Sequence, residues 1–385
     1  MKNLKVMLSA CVAALAFTSC TQDELPQPQN TRMKSVEVSL ENAKFVPTRG
    51  LAGDKIKAGD PVKVNNFKIF LLDHSGKEYS AKVSDGSAAA QTYWSSEDLA
   101  GGALDIQFHY VDHGCSRIVA VANIDEDMTY EEFVEKQNLD INREQDQESL
   151  TLYAQAELRR KGNEQHNNQN VDGTTYTSDV YEAQLLLKPR ISRFEVDGFR
   201  VAFNSTPKYQ KVVFDDILFD HYPTATSLLT GVEANNHMVH ISDLNVQSTV
   251  YNWFNSTKEA AWYWDNTDVT VTPAAPAVAT TVPLAYHTFA GSVMPRMVIK
   301  LLVDDQPAYI YTKGFYSTTN LTDGKPSLIE NLEEGKIYRM SAPGPDGTGD
   351  GFIPVDEDDI DPMDRCLEIT IDVQDWVVDL VFPEF

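Results

Sequence analysis

Residues Arg296–Lys313, RMVIKLLVDDQPAYIYTK, decide how the rest of the chain is read. Met297, Ile299, Leu301 and Val303 fall at every second position, the period of a strand with one face in a core. Asp304, Asp305, Gln306 and Pro307 interrupt the pattern with turn chemistry, and Ala308–Lys313 resumes it. A strand, a tight turn and a returning strand predict an antiparallel hairpin.

The same period recurs outward from that hairpin. Ser35–Leu40 alternates with Val36, Val38 and Leu40 on one face, and Leu104–Val111 with Ile106, Phe108 and Tyr110. Asn66–Leu72 is an apolar run that stops at the turn Asp73-His74-Ser75-Gly76. Arg117–Asn123, RIVAVAN, has the continuous apolar character of a strand buried on both faces. Tyr181–Leu187, Lys211–Phe219, Gly335–Met340 and Leu367–Val373 add further strands. One helix is signalled by a capping box of Thr129 and Glu132, with Phe133, Val134 and Leu139 as its apolar side. A second, polar helix is expected near Glu148–Arg160, and Arg160–Ser178, rich in Asn, Gln and Gly, is expected to be a long loop. Lys188-Pro189-Arg190 opens a new series of strands and places a domain boundary. Short strands at this spacing predict an all-β fold with a few short helices, built as β-sandwiches in tandem.

Composition narrows the function. The chain has 385 residues, 42% hydrophobic and 10% aromatic, enough for two packed domains. Its formal charge of −25 repels nucleic acid and gains nothing from anionic lipid, so no nucleic-acid partner is expected. Lys2 and Lys5 followed by the apolar stretch Val6–Phe17 form a secretory signal peptide over residues 1–19. Thr18-Ser19-Cys20 resembles a bacterial lipoprotein processing site, with Phe17 where leucine is commoner, and Cys20 becomes the lipidated first residue. An ordinary signal peptide that happens to contain Cys20 is the plainer alternative. TQDELPQPQNTR, residues 21–32, has the composition of a tether. Cys115 and Cys366 read as two buried free thiols rather than a bridge.

Two segments raise a sharper question. VPTRGLAGDKIKAGD, residues 46–60, is marked as extended by Pro47, Gly50, Gly53 and Gly59, and carries Arg49. A solvated charge and a protease cleavage site both fit it. CLEITIDVQDWVVDLVFPEF, residues 366–385, holds two strands in succession, the second with Trp376, Val378, Leu380 and Phe382 on one side. An apolar strand of that length must pair within its own domain or with a neighbouring chain, because an open edge recruits partners.

Enzyme signatures are missing from the sequence: no Gly-x-Ser-x-Gly, no phosphate-binding loop and no His-Glu-x-x-His. No catalytic residue, metal centre or cofactor is expected. His237 with His240, and His109 with His113, read as surface or strand histidines, since neither pair has a third ligand that spacing compels. The acidic run from Asp346 to Asp361 would suit calcium, but its spacing is not that of an EF-hand and it reads as a solvated loop. Trp253, Trp262 and Trp264 could stack on sugar rings, though alternating Trp262 and Trp264 fit a sandwich core better.

Taken in order, NFKIFLLDHSGKEY, RIVAVANID, KPRISRFEV, MPRMVIKLLV, LEEGKIYRM and LEITIDVQDWVVDLVF, behind a lipoprotein-like start, give the chain its family likeness. It resembles the Bacteroidales fimbrillins, the pilins of type V fimbriae. The resemblance implies two transthyretin-like β-sandwich domains, here 50–188 and 189–385, preceded by a lipidated tether and removable first strand over 20–49. It implies a palmitate-bearing precursor held in the outer membrane and cut after arginine by an arginine-specific protease, here between Arg49 and Gly50. Loss of the strand Val36–Leu40 would then open a groove for a donor strand of the next subunit, here Trp376, Val378, Leu380 and Phe382. The partners implied are other fimbrial subunits in a head-to-tail polymer, with a host or bacterial surface ligand for adhesion. The acidic insertion 343–362 is foreign to the family pattern. Two alternatives stand beside this one: a monomeric surface lipoprotein that binds glycans, and an anchor or tip subunit that is not cleaved.

Overall fold

A computed structural model of the protein describes residues 33–40, 62–99, 106–141, 143–145, 149–169, 173–231, 238–239, 269–340, 352–360 and 366–375. Its N-terminal strands are β1 Lys34–Leu40, β2 Phe67–Leu72, β3 Tyr93–Trp94, β4 Ile106–Val111, β5 Arg117–Ala122, β6 Asn138–Asp140, β7 Leu152–Glu157, β8 Arg159–Gln169, β9 Thr175–Leu185 and β10 Lys188–Pro189. Two short helices join them, α1 Ser96–Leu99 and α2 Tyr130–Glu135. One sheet runs β4-β1-β9-β8 and a second runs β10-β7-β5-β2-β3. Val36, Val38, Ile106 and Phe108 of the first share a single core with Phe67, Ile69, Ile118 and Ala120 of the second. Two sheets thus face each other across one apolar layer, the sandwich solution for surfaces that are each apolar on one side. β5 is buried along almost its whole length, as its unbroken apolar run predicts.

The capping box forms as the sequence requires. Thr129 Oγ1 accepts from the Glu132 amide at 3.3 Å, and Glu132 Oε2 accepts from the Thr129 amide at 2.8 Å. The helix stops at Glu135, however, and Leu139 belongs to β6 instead. Two other expectations are corrected. The segment read as a polar helix is β7 and the start of β8, because Leu152, Tyr153 and Ala154 are buried and β7 completes the ladder with β5, Ala120 opposite Ala154. The segment read as a loop is the hairpin β8–β9, whose chain reverses near Gly173 at φ 82°. A strand needs partners for its backbone, not apolar side chains on both faces, so polar composition alone misleads there.

The C-terminal strands are β11 Ile191–Ala202, β12 Val212–Asp220, β13 Tyr222–Pro223, β14 Ala225–Ser227, β15 Met238–Val239, β16 Thr270–Val271, β17 Ala277–Phe289, β18 Arg296–Val303, β19 Gln306–Thr322, β20 Lys325–Leu328, β21 Lys336–Met340, β22 Phe352–Asp356 and β23 Cys366–Asp375. All but β13, β14 and β15 form one hydrogen-bonded path, β16-β12-β18-β19-β23-β21-β11-β17, with β20 on β19 and β22 on β11, while β13 pairs with β15 and β14 with β6. Their inward residues make a second core, in which Phe194 lies 5.1 Å from Phe315 and 5.4 Å from both Phe219 and Tyr338. The hairpin anticipated at Asp304-Asp305 is present: Val303 pairs with Gln306, and the two aspartates sit at φ 45° and 67°. Two consecutive left-handed residues are the mark of a type I′ turn, whose twist suits the strands it joins.

A polar joint lies where the two cores meet. The Gln145 side chain donates to the His287 carbonyl at 2.7 Å and accepts from its amide at 3.0 Å. His287 Nδ1 faces the Glu144 carbonyl at 2.7 Å. A carbonyl only accepts, so Nδ1 carries the proton and Nε2 accepts from Arg193 at 3.1 Å. Burial pushes this imidazole down to about 3, with Arg193 adding to the effect, so it is neutral. Arg193 and Arg339 converge on the fully buried carboxylate of Glu195, through Nε at 2.8 and 2.9 Å. Among the described residues no helix is long and apolar enough to cross a membrane.

Candidate functional site

The site is the seat of β1. This strand lies inside its sheet, antiparallel to β4 and parallel to β9, so both of its backbone edges are occupied. Val36 stands opposite Phe108 and Tyr181, and Val38 opposite Ile106 and Ala183. Both valines are buried, and they plug the core that the two facing sheets enclose. The alternation that identifies the strand is therefore also what seats it.

The other face of β1 meets a polar surface. Ser35 is buried and lies 2.5 Å from Ser178 Oγ and 3.1 Å from His109 Nδ1. Asn168 Nδ2 donates to Ser178 at 2.9 Å and extends the cluster. Burial, reinforced by nearby His166, lowers the proton affinity of His109. Two residues along, Glu37 accepts from Lys161 Nζ at 2.7 Å and faces His166 Nε2 at 3.0 Å. The Lys161 hydrogen bond, then that of His166, holds the Glu37 carboxyl below the usual carboxylate range, while Lys161 is raised to about 12 chiefly by the same contact. At the start of the strand, Lys34 Nζ donates to the Cys115 carbonyl at 2.7 Å, 4.4 Å from the Tyr181 ring centroid. Burial lowers its pKa. Tyr176 OH donates to the Met33 carbonyl at 2.6 Å.

Glu37, Glu164 and His166 bring ligand atoms within 4.8 Å of one another, a set that could hold a cation. Lys161 already serves that purpose: its ammonium bridges Glu37 at 2.7 Å and Glu164 at 3.1 Å. What the arrangement does chemically is hold a strand, by ladder hydrogen bonds, two apolar plugs and one charged clasp.

Cys20, Arg49 and Gly50, and the donor-strand positions Trp376, Val378, Leu380 and Phe382, lie outside the described residues. So do the tryptophan cluster 251–264 and the pair His237 and His240. His109 is within β4 and buried, whereas His113 is exposed, and the two do not converge. Cys115 is a buried free thiol, its pKa raised to about 11 by burial. Within the acidic run, Glu357 departs from the solvated reading. It is buried, and its carboxylate accepts from the amides of Asn204 at 2.7 Å, Lys208 at 2.5 Å and Tyr209 at 3.0 Å. It acts as a cap for that loop.

The clasp residues Lys161, His166, Asn168 and Ser178 escape the sequence reading because they fall in the stretch read as a loop. The available signal was Tyr176, Ser178 and Val180 at strand spacing just before Tyr181.

No family model matches the chain, and no curated protein matches it. Among solved structures, it is similar to a candidate cell adhesion protein from Parabacteroides distasonis, with TM-score 0.49 and 14% identity over 90% of this chain and 98% of that one. It is similar to a fimbrilin from Porphyromonas gingivalis, with TM-score 0.47 and 13% identity over 90% of this chain and 98% of that one. It is also similar to a fimbrial anchor protein from Porphyromonas gingivalis, with TM-score 0.33 and 12% identity over 82% of this chain and 94% of that one. At such identities and TM-scores these likenesses carry no functional argument, which rests instead on β1 and its seat.

Proposed function

We propose that the chain is a structural subunit of a bacterial cell-surface fimbria, assembled by protease-triggered strand exchange and serving adhesion. The supporting observation is the placement of β1. An interior strand whose removal would bare two backbone edges and two apolar sockets is joined to the described residues that follow it through residues 41–61, which include Arg49. Cutting after Arg49 frees β1 to leave. An extended strand from a neighbour then restores the ladder and fills the sockets with alternate apolar side chains. Trp376, Val378, Leu380 and Phe382 supply that alternation. A head-to-tail contact of this kind does not close, so it grows a filament.

In the same reading Cys20 carries lipid, the precursor is anchored in the outer membrane, and the mature chain is extracellular. Its two β-sandwich domains are 50–188 and 189–385, and its role is structural rather than catalytic.

N-terminal sequencing of surface fibres tests the proposal. A mature start at Gly50 is the expected result; fibres whose subunits begin at Cys20 indicate an uncleaved anchor instead. Deleting Trp376–Phe385 provides a second test. It should stop polymerisation and leave a folded monomer, because the deletion spares Cys366–Asp375 and its ladder with β21, in which Asp375 pairs with Lys336. Fibres that still form would remove this segment as the donor.

A further inference from the structure

The clasp on Glu37 has a consequence for whatever strand replaces β1. When β1 leaves, the sockets of Val36 and Val38 accept any apolar residue of suitable size. Sockets of that kind set spacing but not register, because a strand shifted by two residues fills them equally well. Lys161 and His166 are different. They present hydrogen-bond donors at one point along the seat, the point where Glu37 now lies.

The segment Trp376–Phe382, WVVDLVF, has one charged residue, Asp379, on the face opposite Trp376, Val378, Leu380 and Phe382. We propose that Asp379 of a second copy of this chain occupies the position of Glu37, between Lys161 and His166, and so fixes the register of the incoming strand. This rests on the strand-exchange reading above and deepens it. With Asp379 at that position, Val378 and Leu380 take the sockets of Val36 and Val38 whichever way the strand runs. The competing register, Asp379 at the position of Ser35, sets a carboxylate among His109, Ser178 and Asn168. All three are buried and offer no cation. A charge buried without a counterion is costly, so that register is disfavoured. Glu164, 3.1 Å from Lys161, is the rival carboxylate and keeps the preference moderate.

The test uses the full-length chain, cut with an arginine-specific protease, and a labelled peptide of residues 374–385 in three forms: wild type, Asp379→Asn and Asp379→Lys. Fluorescence anisotropy reads their entry. The wild-type peptide should bind about threefold better than the Asn form, the scale of a partly exposed ion pair, with the Lys form weaker still. The gap should narrow with added salt. In a Lys161→Glu chain the order should invert, with the Lys peptide preferred. A Lys161→Gln chain, whose charge change is gentler on folding, should take all three peptides alike. If the wild-type chain takes all three equally, the register proposal is overturned while strand exchange stands. If neither peptide nor a neighbouring chain fills the seat after cleavage, so that anisotropy and light scattering both stay flat with the peptide in excess, the exchange reading falls and the register proposal with it.

Discussion

Glu37 is the residue at which the seat of β1 becomes sensitive to conditions. Lys161 and His166 lower its carboxyl in the folded state, so its contribution to stability is present above the ordinary carboxylate range and disappears as pH falls through the folded value. Lys161 is shifted the other way, to about 12, so its share is complete below the ordinary lysine value and is lost as pH rises through about 12. Both shares are present together across the neutral range. Glu37→Gln should therefore lower stability by about 0.2–1 kcal/mol near neutrality, the scale of partly exposed pairs. The difference from wild type should vanish in acid below the carboxylate range, as paired urea melts across a pH series would record. A deficit that persisted there would mean that Glu37 acts through packing rather than charge. Half of this site was legible in the sequence. Val36 and Val38 announce themselves by alternation, but the partners of Glu37 lie more than 120 residues further along, where composition gives no hint of what faces what.

The hairpin of β18 and β19 shows which elements the sequence discloses. Its apolar period, turn residues and return are all local, and a turn with two left-handed residues must carry side chains that tolerate that backbone. The hairpin of β8 and β9 is the opposite case. Its strands are held mainly by each other and by β1; β9 shows an alternation only from Tyr176 onward, and nothing in the polar composition of β8 distinguishes it from a loop. Asp304 and Asp305 differ in replaceability. Asp304 Oδ1 accepts from the Gln210 amide at 3.0 Å and the Lys211 amide at 2.9 Å, tying the turn to the neighbouring strand. Asp305 makes an exposed pair with Lys211 at 2.7 Å, a contact of small value. Glycine occupies φ 67° without the steric cost a Cβ brings. Asp305→Gly should thus stabilise the protein by about 0.5–1 kcal/mol, net of unfolded-state entropy, whereas Asp304→Ala should destabilise it. Thermal melts of the two variants separate these outcomes, and equal effects would contradict the assignment of the turn.

For the whole molecule, the question is why a precursor carrying both a seat and a donor strand does not assemble early. β1 is covalently joined to the body through residues 41–61, so it competes for its seat as an intramolecular partner. A short tether gives an effective concentration on the order of millimolar. A donor strand on another chain at about micromolar concentration is then outcompeted roughly a thousandfold, even at equal affinity. The interior pairing of β1 on both edges raises the barrier further, since two ladders must open before a donor enters. Cutting after Arg49 alters no contact within the seat. It removes the tether, and β1 then dissociates on dilution while each donor remains fixed to a subunit. Arg49→Ala should therefore leave the fold and its melting temperature unchanged and abolish protease-triggered assembly at micromolar concentration. Light scattering after addition of an arginine-specific protease measures this, with wild type scattering and the variant silent. Raising the variant to millimolar concentration should restore slow assembly, because the penalty is one of concentration rather than of complementarity. Rapid assembly of uncut Arg49→Ala at micromolar concentration would show that the tether of β1 is not what keeps the precursor closed.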